Sequence, residues 1–332
     1  IMDNLKKVGL TALAGSLAAV SAHAAEMTVS GATLLTYTSE HDNETTGNPF
    51  GMKTNLGFTA SGDVNGYTVS YLQVSKDQFA GMSSARLSVD MGDMGLIAFD
   101  QGSGSGLATI DDKTPTAAEE IWDGLDGLTA GGLVGAAGNT GVFNYVKSFS
   151  GVTLNAAARK GSGAANSDGS SSGAGQSAWD FALTGSGDTF GVDGLAWGAG
   201  YGEAEAGASL LSGTSSDDIH ITAFANYSMG PVTAGYQVSE ISYGGNGTAS
   251  EEVDAWGVAV NINDDLSVSY GEREIEYGKA GAAHVTEDGE GIAVAYTMGS
   301  MKIAGNRNEV TDNAGTLKSN DSMTEIALSF AF

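Results

Sequence analysis

The amino-acid sequence predicts an all-β fold, a transmembrane antiparallel β-barrel of about sixteen strands. Three observations predict it. Apolar residues alternate with small or polar residues along many short segments, as in strands with two unlike faces. Glycine supplies 50 of the 332 residues, and each interior glycine costs a helix about 1 kcal/mol. The connectors between the segments alternate in length, short and then long, as they do in barrels that cross a membrane.

The composition excludes several classes of function. The chain carries 14 Lys and Arg residues against 40 Asp and Glu residues, a formal charge of −26. Nucleic acid is excluded as a partner because phosphate binding needs positive charge. The absence of cysteine excludes disulfides, thiolate metal sites and thiol nucleophiles. The sequence offers no credible set of nucleophile, base and acid, so we expect no enzymatic activity and no cofactor.

An export signal is predicted at the N-terminus, over residues 1–24. Lys6 and Lys7 precede an apolar run that ends near Val20, and small residues follow up to Ala24. The run is shorter than the roughly 20 apolar residues that span a bilayer. We therefore expect cleavage after Ala24 and a single barrel domain over residues 25–332. An uncleaved N-terminal anchor helix is the alternative.

The strand pattern is clearest at the C-terminus. Ile326, Leu328 and Phe330 share one face of the last segment with the terminal Phe332, while small or polar residues take the other face. In a soluble sandwich the inner face would instead be bulky and the outer face charged. The pattern favours a barrel whose apolar face meets lipid and whose inner face meets water. Inward glycines would leave room for that water, and a soluble β-sandwich is the alternative.

Turns and aromatic residues orient the predicted barrel. The short turns are expected on the periplasmic side, together with both chain ends, and the long polar loops outside. Aromatic side chains near the strand ends are expected to form girdles at the two membrane interfaces, against the alternative of ordinary core aromatics. They are Phe143, Tyr145, Tyr227, Tyr236, Tyr270, Tyr296, Phe330 and Phe332.

The longest connector runs from Gln101 to Thr140, after the fifth predicted strand. A loop of this length inside a compact domain is usually functional. Thr116 and Glu119 have the spacing of a helix capping box, which predicts a short helix over residues 117–122. The loop is strongly acidic, with Lys113 as the one base among its acids. The acids are Asp111, Asp112, Glu119, Glu120, Asp123 and Asp126.

This arrangement of leader, strands, acidic loop and final strand resembles the general diffusion porins of Gram-negative bacteria, particularly the trimeric porins of Alphaproteobacteria. The resemblance covers essentially the whole chain after the leader. It implies an outer-membrane homotrimer in which the long loop folds into the barrel and narrows the pore. Acids on that loop would then face basic side chains on the wall. The terminal Phe332 resembles the assembly signal of the family.

The basic residues of the wall follow from strand alternation. Lys53 and Arg86 are expected to face inward because their strand neighbours Met52 and Leu87 are apolar. Arg159 and Arg273 are inward by the same argument. On the sixth strand the inward position is an asparagine, so the basic cluster is thinner than the resemblance implies.

The resemblance implies a water-filled channel for the passive diffusion of ions and small hydrophilic solutes, and the excess of acids predicts that this channel prefers cations. The alternative is a non-conducting barrel that serves as an adhesin or a structural surface protein, with the acidic loop outside the barrel. Acid clusters at residues 251–254, 272–276 and 287–290 lack the spacing of a known metal motif, and we assign no metal. Solvated surface charge is the simpler interpretation of these clusters.

Overall fold

The computed structural model describes residues 26–41, 46–75, 81–125, 132–138, 140–161, 177–205, 217–244, 250–278 and 284–332. Sixteen antiparallel strands close into one barrel, in which each strand pairs with its sequence neighbours and β1 pairs with β16. The predicted all-β barrel is confirmed, including the strand number. The predicted leader lies outside the described residues. Within them, no helix has the length and apolarity needed to cross a membrane.

The strands vary in length, and their bounds follow in chain order. They are β1 (Glu26–Glu40), β2 (Phe50–Val64), β3 (Tyr67–Ser75), β4 (Met82–Asp90), β5 (Leu96–Gln101), β6 (Thr140–Phe149), β7 (Val152–Arg159), β8 (Ala178–Ser186), β9 (Leu195–Ala204), β10 (Asp218–Met229), β11 (Val232–Ser242), β12 (Ser250–Asn261), β13 (Leu266–Gly278), β14 (Val285–Met298), β15 (Met301–Thr311) and β16 (Asp321–Ala331).

Tight turns join the strands at one end of the barrel. At the turn between β2 and β3, Asn65 and Gly66 both have positive φ, 55° and 85°. Two such residues form the mirror-image turn that matches the twist of antiparallel strands. The Gly66 amide also donates to Asp63 Oδ1 at 3.1 Å. The strand ends that the long connectors join lie at the opposite end of the barrel, in agreement with the alternation seen in the sequence.

The outer surface of the barrel carries many large apolar side chains. Large side chains such as Phe143, Ile292 and Ile326 are more than half exposed there, at 62%, 58% and 52%. Leaving this much apolar surface in water would be unfavourable, at roughly 25 cal/mol for each Å². A bilayer removes that cost, and the aromatic residues expected in the girdles lie on this outer face with them.

The buried core lies inside the barrel, between the wall and the long loop that follows β5. One cluster joins Leu107 and Ile110 of the loop to Ala182 and Ile241 of the wall. A second cluster places Leu125 of the loop against Val310 and Met323. These contacts show that the loop is folded into the barrel, as the resemblance implied. Burying each large side chain contributes about 1.5–3 kcal/mol toward holding the loop there.

Candidate functional site

The loop leaves the wall at an ion pair. Arg86 of β4 and Asp100 of β5 are register partners, with 3.2 Å between Arg86 Nη2 and Asp100 Oδ2. Ser105 Oγ donates to the same carboxylate oxygen at 2.7 Å, and the Ser103 amide donates to Asp100 Oδ1 at 3.0 Å. Arg86 also donates to the carbonyl of Gly104. Arg86 therefore holds the first residues of the loop against the wall.

A single carboxylate holds both the outgoing and the returning arm of the loop. Asp180 of β8 accepts from the Leu107 amide at 3.0 Å and from the Ala137 amide at 2.7 Å. Gly106 adopts φ of +56°, and a Cβ there would lie 1.8 Å from Asp180 Oδ1, so glycine is required. On the returning arm, Arg159 Nε donates to the Ala137 carbonyl at 2.6 Å.

The middle of the loop lies along the wall. Gln237 of β11 donates to the Ile110 carbonyl at 2.9 Å and accepts from the Lys113 amide at 2.6 Å. Ser269 of β13 accepts from the Ala117 amide at 2.8 Å. The cavity between loop and wall lined by Asp111, Gln237 and Arg273 measures about 10 Å³, the space of about one water molecule.

The predicted helix over residues 117–122 does not form. Bends and a turn occupy this segment, and a 3₁₀ helix lies earlier, at Gly106–Ile110. Thr116 Oγ1 donates to the Glu119 carbonyl at 2.7 Å instead of capping a helix. The Ala117 amide donates to Ser269 of the wall. A backbone group of the loop is thus hydrogen-bonded to the barrel wall rather than within a helix.

Arg273 of β13 lies beneath the loop, with only 6% of its surface exposed. Its guanidinium is 5.9 Å from the ring centre of Trp122. Acidic groups act on it from the loop and the wall, and they are Asp112, Glu251 and Glu287. Trp122 Nε1 donates to Asp112 Oδ2 at 3.0 Å, and the Gly132 amide donates to Glu251. Arg273 is thus the centre of a charged network that fixes the far end of the loop.

Lys53 of β2 is a predicted wall base that acts on an acid of the loop. Lys53 is exposed inside the barrel, while its neighbour Met52 is 57% exposed on the outside. It acts electrostatically on Asp123 of the loop and on Glu325 of β16. Glu119 and Asp123 also act on Glu325, so acids of the loop and of the wall lie within electrostatic reach of one another.

Several loop acids are partly buried, and this changes their protonation. Burial raises the pKa of Asp123 above its usual 3.8, although Lys53 opposes the shift. Burial likewise raises the pKa of Glu120 above 4.5, and the neighbouring carboxylates Asp112 and Glu119 raise it further. Burial also raises the pKa of Asp111. Each group keeps its proton to a higher pH than an exposed carboxyl.

The predicted site residues thus divide into two groups. Lys53 is exposed and acts electrostatically on the loop acid Asp123, whereas Arg86, Arg159 and Arg273 are bonded to the loop or buried beneath it. Among the acids, Asp111, Asp112, Glu119, Glu120 and Asp123 are described and Asp126 lies outside the described residues.

Glu325 is the site residue that sequence reasoning missed. The alternation along β16 already placed it on the inner face, opposite Ile326. No feature of its own strand distinguishes it from other inward polar residues. Its electrostatic interaction with Lys53 depends on the closure of β16 onto β1, where Glu325 pairs with Thr38.

Phe332 closes the barrel at the turn side. Its amide donates to the Gly31 carbonyl at 3.0 Å, and its own carbonyl accepts from the Gly31 amide at 2.9 Å. The ring is 67% exposed. The main chain of this residue therefore completes the pairing of β16 with β1, while the ring takes no part in that pairing.

The acid clusters of β12, β13 and β14 are split by strand alternation. Glu272 and Glu274 are exposed on the outer face of β13, while Arg273 between them is buried inside. On β14, Glu287 is buried inside and Glu290 is exposed outside. In the described part of the chain, no group of three or more His, Cys, Asp or Glu side chains is placed to hold a metal ion.

Comparison with known proteins gives matches at the level of family and fold. A family model described as Gram-negative porin matches residues 9–332. No curated protein sequence matches the chain. OmpT, an outer membrane protein of Vibrio cholerae, has a similar structure, with a TM-score of 0.65 and 13% identity over 93% of this chain and 98% of that chain.

Two further solved structures are similar. The anion-selective porin from Comamonas acidovorans gives a TM-score of 0.63 at 13% identity, covering 93% of this chain and all of that one, 100%. A mutant of the Rh. blastica porin gives 0.62 at 14% identity, over 92% of this chain and 100% of that chain. At such identities these structures show a shared fold.

Proposed function

Because this chain belongs to the Gram-negative porin family and forms an outer-membrane β-barrel, we propose that it is a cation-selective, water-filled channel. Ions and small hydrophilic solutes cross it by passive diffusion. The channel needs no cofactor and carries out no enzymatic reaction. One observation carries the proposal of selectivity, which is that acids lie on both the loop and the wall around Lys53.

The sign of the selectivity follows from this arrangement of charge. Glu119 and Asp123 on the loop and Glu325 on the wall act on one another across the lumen, and Lys53 offsets part of their charge. Carboxylates in a narrow passage with low-dielectric walls concentrate cations and repel anions. The three arginines do not reverse this balance, since each is bonded to the loop or buried beneath it.

The fold by itself does not set the sign. The porin of Comamonas acidovorans is anion-selective, and its barrel superposes on this one with a TM-score of 0.63. Ion selectivity must therefore be determined by the side chains at the narrowest point of the pore. The inward position of the loop also favours a channel over a non-conducting adhesin or surface protein. In such a protein, the loop that binds a partner would lie outside the lumen.

We further propose that the barrel works as a homotrimer embedded in outer-membrane lipid. OmpT of Vibrio cholerae, which has a TM-score of 0.65 with this chain, has been solved in a trimer form. Residues 1–24 act as the export signal and residues 25–332 form the mature barrel. The exposed apolar side chains of the outer face supply the lipid contacts.

Reconstitution in a planar bilayer tests the proposal. With a salt gradient across the membrane, the reversal potential should show preferential passage of potassium over chloride. Single insertions should close in three equal steps, one for each protomer. An anion-selective reversal potential would overturn the proposed selectivity. Full-length folded protein that inserts and stays silent would favour the non-conducting adhesin or surface protein.

A further inference from the structure

A single register row crosses the inner wall from β10 to β15. The residues that pair with one another along it are Asn226, Gly235, Gly257, Gly271, Gly291 and Asn308. Each glycine faces inward because a neighbour in its strand is exposed on the outer face. These neighbours are Tyr236, Trp256, Tyr270 and Ile292. Two asparagines therefore flank four consecutive glycines in one register row of the wall.

The two asparagines bind the loop that crosses this row. Asn226 Nδ2 donates to the Lys113 carbonyl at 2.7 Å. At the other end, Asn308 Nδ2 donates to the carbonyls of Glu120 and Asp123 at 3.1 and 2.9 Å. The loop backbone is thus tied to the wall on both sides of the glycines. The bonds reach main-chain atoms, so they fix the path of the loop whatever its side chains are.

The glycines leave no space that water could use. A Cβ at Gly257 would lie 2.7 Å from the Pro115 carbonyl oxygen, and one at Gly235 would lie 2.5 Å from Pro115 Cδ. A Cβ at Gly291 would lie 2.9 Å from Ile121 Cβ. Ordinary contacts of a Cβ are 3.4–4 Å. The expectation that inward glycines make room for water is wrong at these positions, because the loop occupies that space.

We propose that this row, from Asn226 to Asn308, is a seat that sets how far the loop reaches into the lumen. The glycines let the loop backbone approach the wall directly, and the asparagines hold it at that depth. Asn226 and Asn308 are then positioning residues for the acids that follow Lys113. The inference deepens the proposed channel function and rests on it only where conductance is measured.

The seat can set the depth of the loop because the interior of the barrel has a fixed cross-section, which the loop and the inward side chains of the wall must share. Any side chain added beneath the loop must either deform the sheet or push the loop into the lumen. The sheet is held by continuous antiparallel pairing on both sides of β12. The loop is held at this point by a few hydrogen bonds, so we expect the loop to move.

A matched pair of substitutions tests the seat. Gly257→Val places a side chain directly under Pro115. Gly289→Val adds the same side chain to the inner face of β14, where a Cβ would meet nothing closer than 3.6 Å. Heat-dependent gel mobility first checks that both variants form barrels. Gly257→Val should lower single-channel conductance roughly twofold, because the pore narrows, while Gly289→Val should leave it near the wild-type value.

A second variant tests the asparagines without adding bulk. Asn308→Ala removes two hydrogen bonds to the loop and keeps the glycines unchanged. The loop should then leave the wall for part of the time, and open-channel current noise should rise severalfold with the barrel intact. A readout of noise separates loop positioning from barrel stability. Noise and conductance equal to the wild type would overturn the role given to Asn308.

A distance measurement tests, independently of conductance, whether the seat sets the depth of the loop. The chain has no cysteine, so Ala118→Cys on the loop and Asn55→Cys on β2 can carry two spin labels. Gly257→Val should shorten the distance between the labels by about 2 Å, and Gly289→Val should not change it. Equal distances in all three backgrounds would overturn the proposal. If the wild type is silent in bilayers, the channel function fails, and the distances still report on the seat.

Discussion

Arg86 and Asp100 form an ion pair at the point where the chain leaves the wall, with 3.2 Å between Nη2 and Oδ2. Asp100 is fully buried, whereas 26% of the Arg86 side chain is exposed. Strand alternation placed Arg86 on the inner face but gave no partner. With Asp100 as its register partner, Arg86 serves the base of the loop and contributes little free charge to the lumen.

Removing one member of this pair should destabilise the barrel. Asp100→Asn leaves Arg86 without its counter-charge and weakens the bonds to Ser103 and Ser105. We expect the free energy of unfolding to fall by about 2–3 kcal/mol. Urea unfolding in lipid vesicles, followed by tryptophan fluorescence, measures it. Asp264→Asn, in an exposed turn, is the control, and equal stability of both variants would argue against a structural ion pair.

Neutralising Lys53 should strengthen cation selectivity. A unit charge about 8 Å from a permeating ion changes its energy by about 0.5 kcal/mol in water, with opposite sign for anions. Lys53→Gln should therefore raise the cation-to-anion permeability ratio roughly two- to fivefold, as measured by reversal potential. Lys302→Gln removes the same charge at the turn end of β15 and serves as the control. A ratio that falls in Lys53→Gln contradicts the proposed site.

As the pH falls, cation selectivity should begin to decrease at a higher pH than the pKa values of exposed carboxyl groups would predict. Burial raises the pKa of Asp111, Glu120 and Asp123, so their negative charges are lost early as the pH falls. A raised carboxyl pKa also means that the charged form costs stability above the folded-state pKa, and acidification removes that cost.

A reversal-potential series from neutral pH downward measures this. The decline should begin above the ordinary values of 3.8 and 4.5 for Asp and Glu. Asp123→Asn should remove part of the decline and leave the remainder in place. A wild-type selectivity that stays constant until the pH passes below 3.8 would contradict the arrangement of buried acids.

Asp180→Asn should loosen both arms of the loop together. An asparagine has one acceptor oxygen, so it cannot serve the Leu107 and Ala137 amides as the two carboxylate oxygens do. Each bond to a charged group contributes about 1.5–3 kcal/mol. Limited proteolysis in detergent should cut the loop at least several times faster. Asp188→Asn, in an exposed turn, should leave the rate unchanged, and a similar rate for Asp180→Asn would refute the anchor.

Phe332→Ala should reduce assembly in cells while sparing the folded barrel. The main chain of this residue completes the pairing with Gly31, and its ring is 67% exposed, so we expect the ring to serve as the assembly signal. We expect severalfold less heat-modifiable barrel in outer-membrane fractions and unchanged stability after refolding in detergent. Phe330→Ala removes a ring from the same face and is the control. Equal assembly of the two variants would exclude a special role for the terminal ring.

Local patterns in the sequence were sufficient to predict most of the barrel. Alternation with a period of two identified the strands and their faces, and it placed Lys53 and Glu325 inside. The alternation of short and long connectors was also visible in the sequence. These features depend on a few neighbouring residues and on the preference of apolar side chains to leave water. They can therefore be recognised in the sequence before the fold is known.

The tertiary structure alone decided how the site is built. Whether an inward base faces the lumen or holds the loop depends on which strand lies beside it, and the sequence does not show that. Arg273 reads like Lys53 in its own strand, yet it is buried under Trp122. The glycines opposite Pro115 and Ile121 form a continuous row only because four strands align in register. In the sequence each is an isolated glycine in its own strand. Contacts between residues more than a hundred positions apart, such as Asn226 with Lys113, arise from barrel closure, so no local pattern contains them.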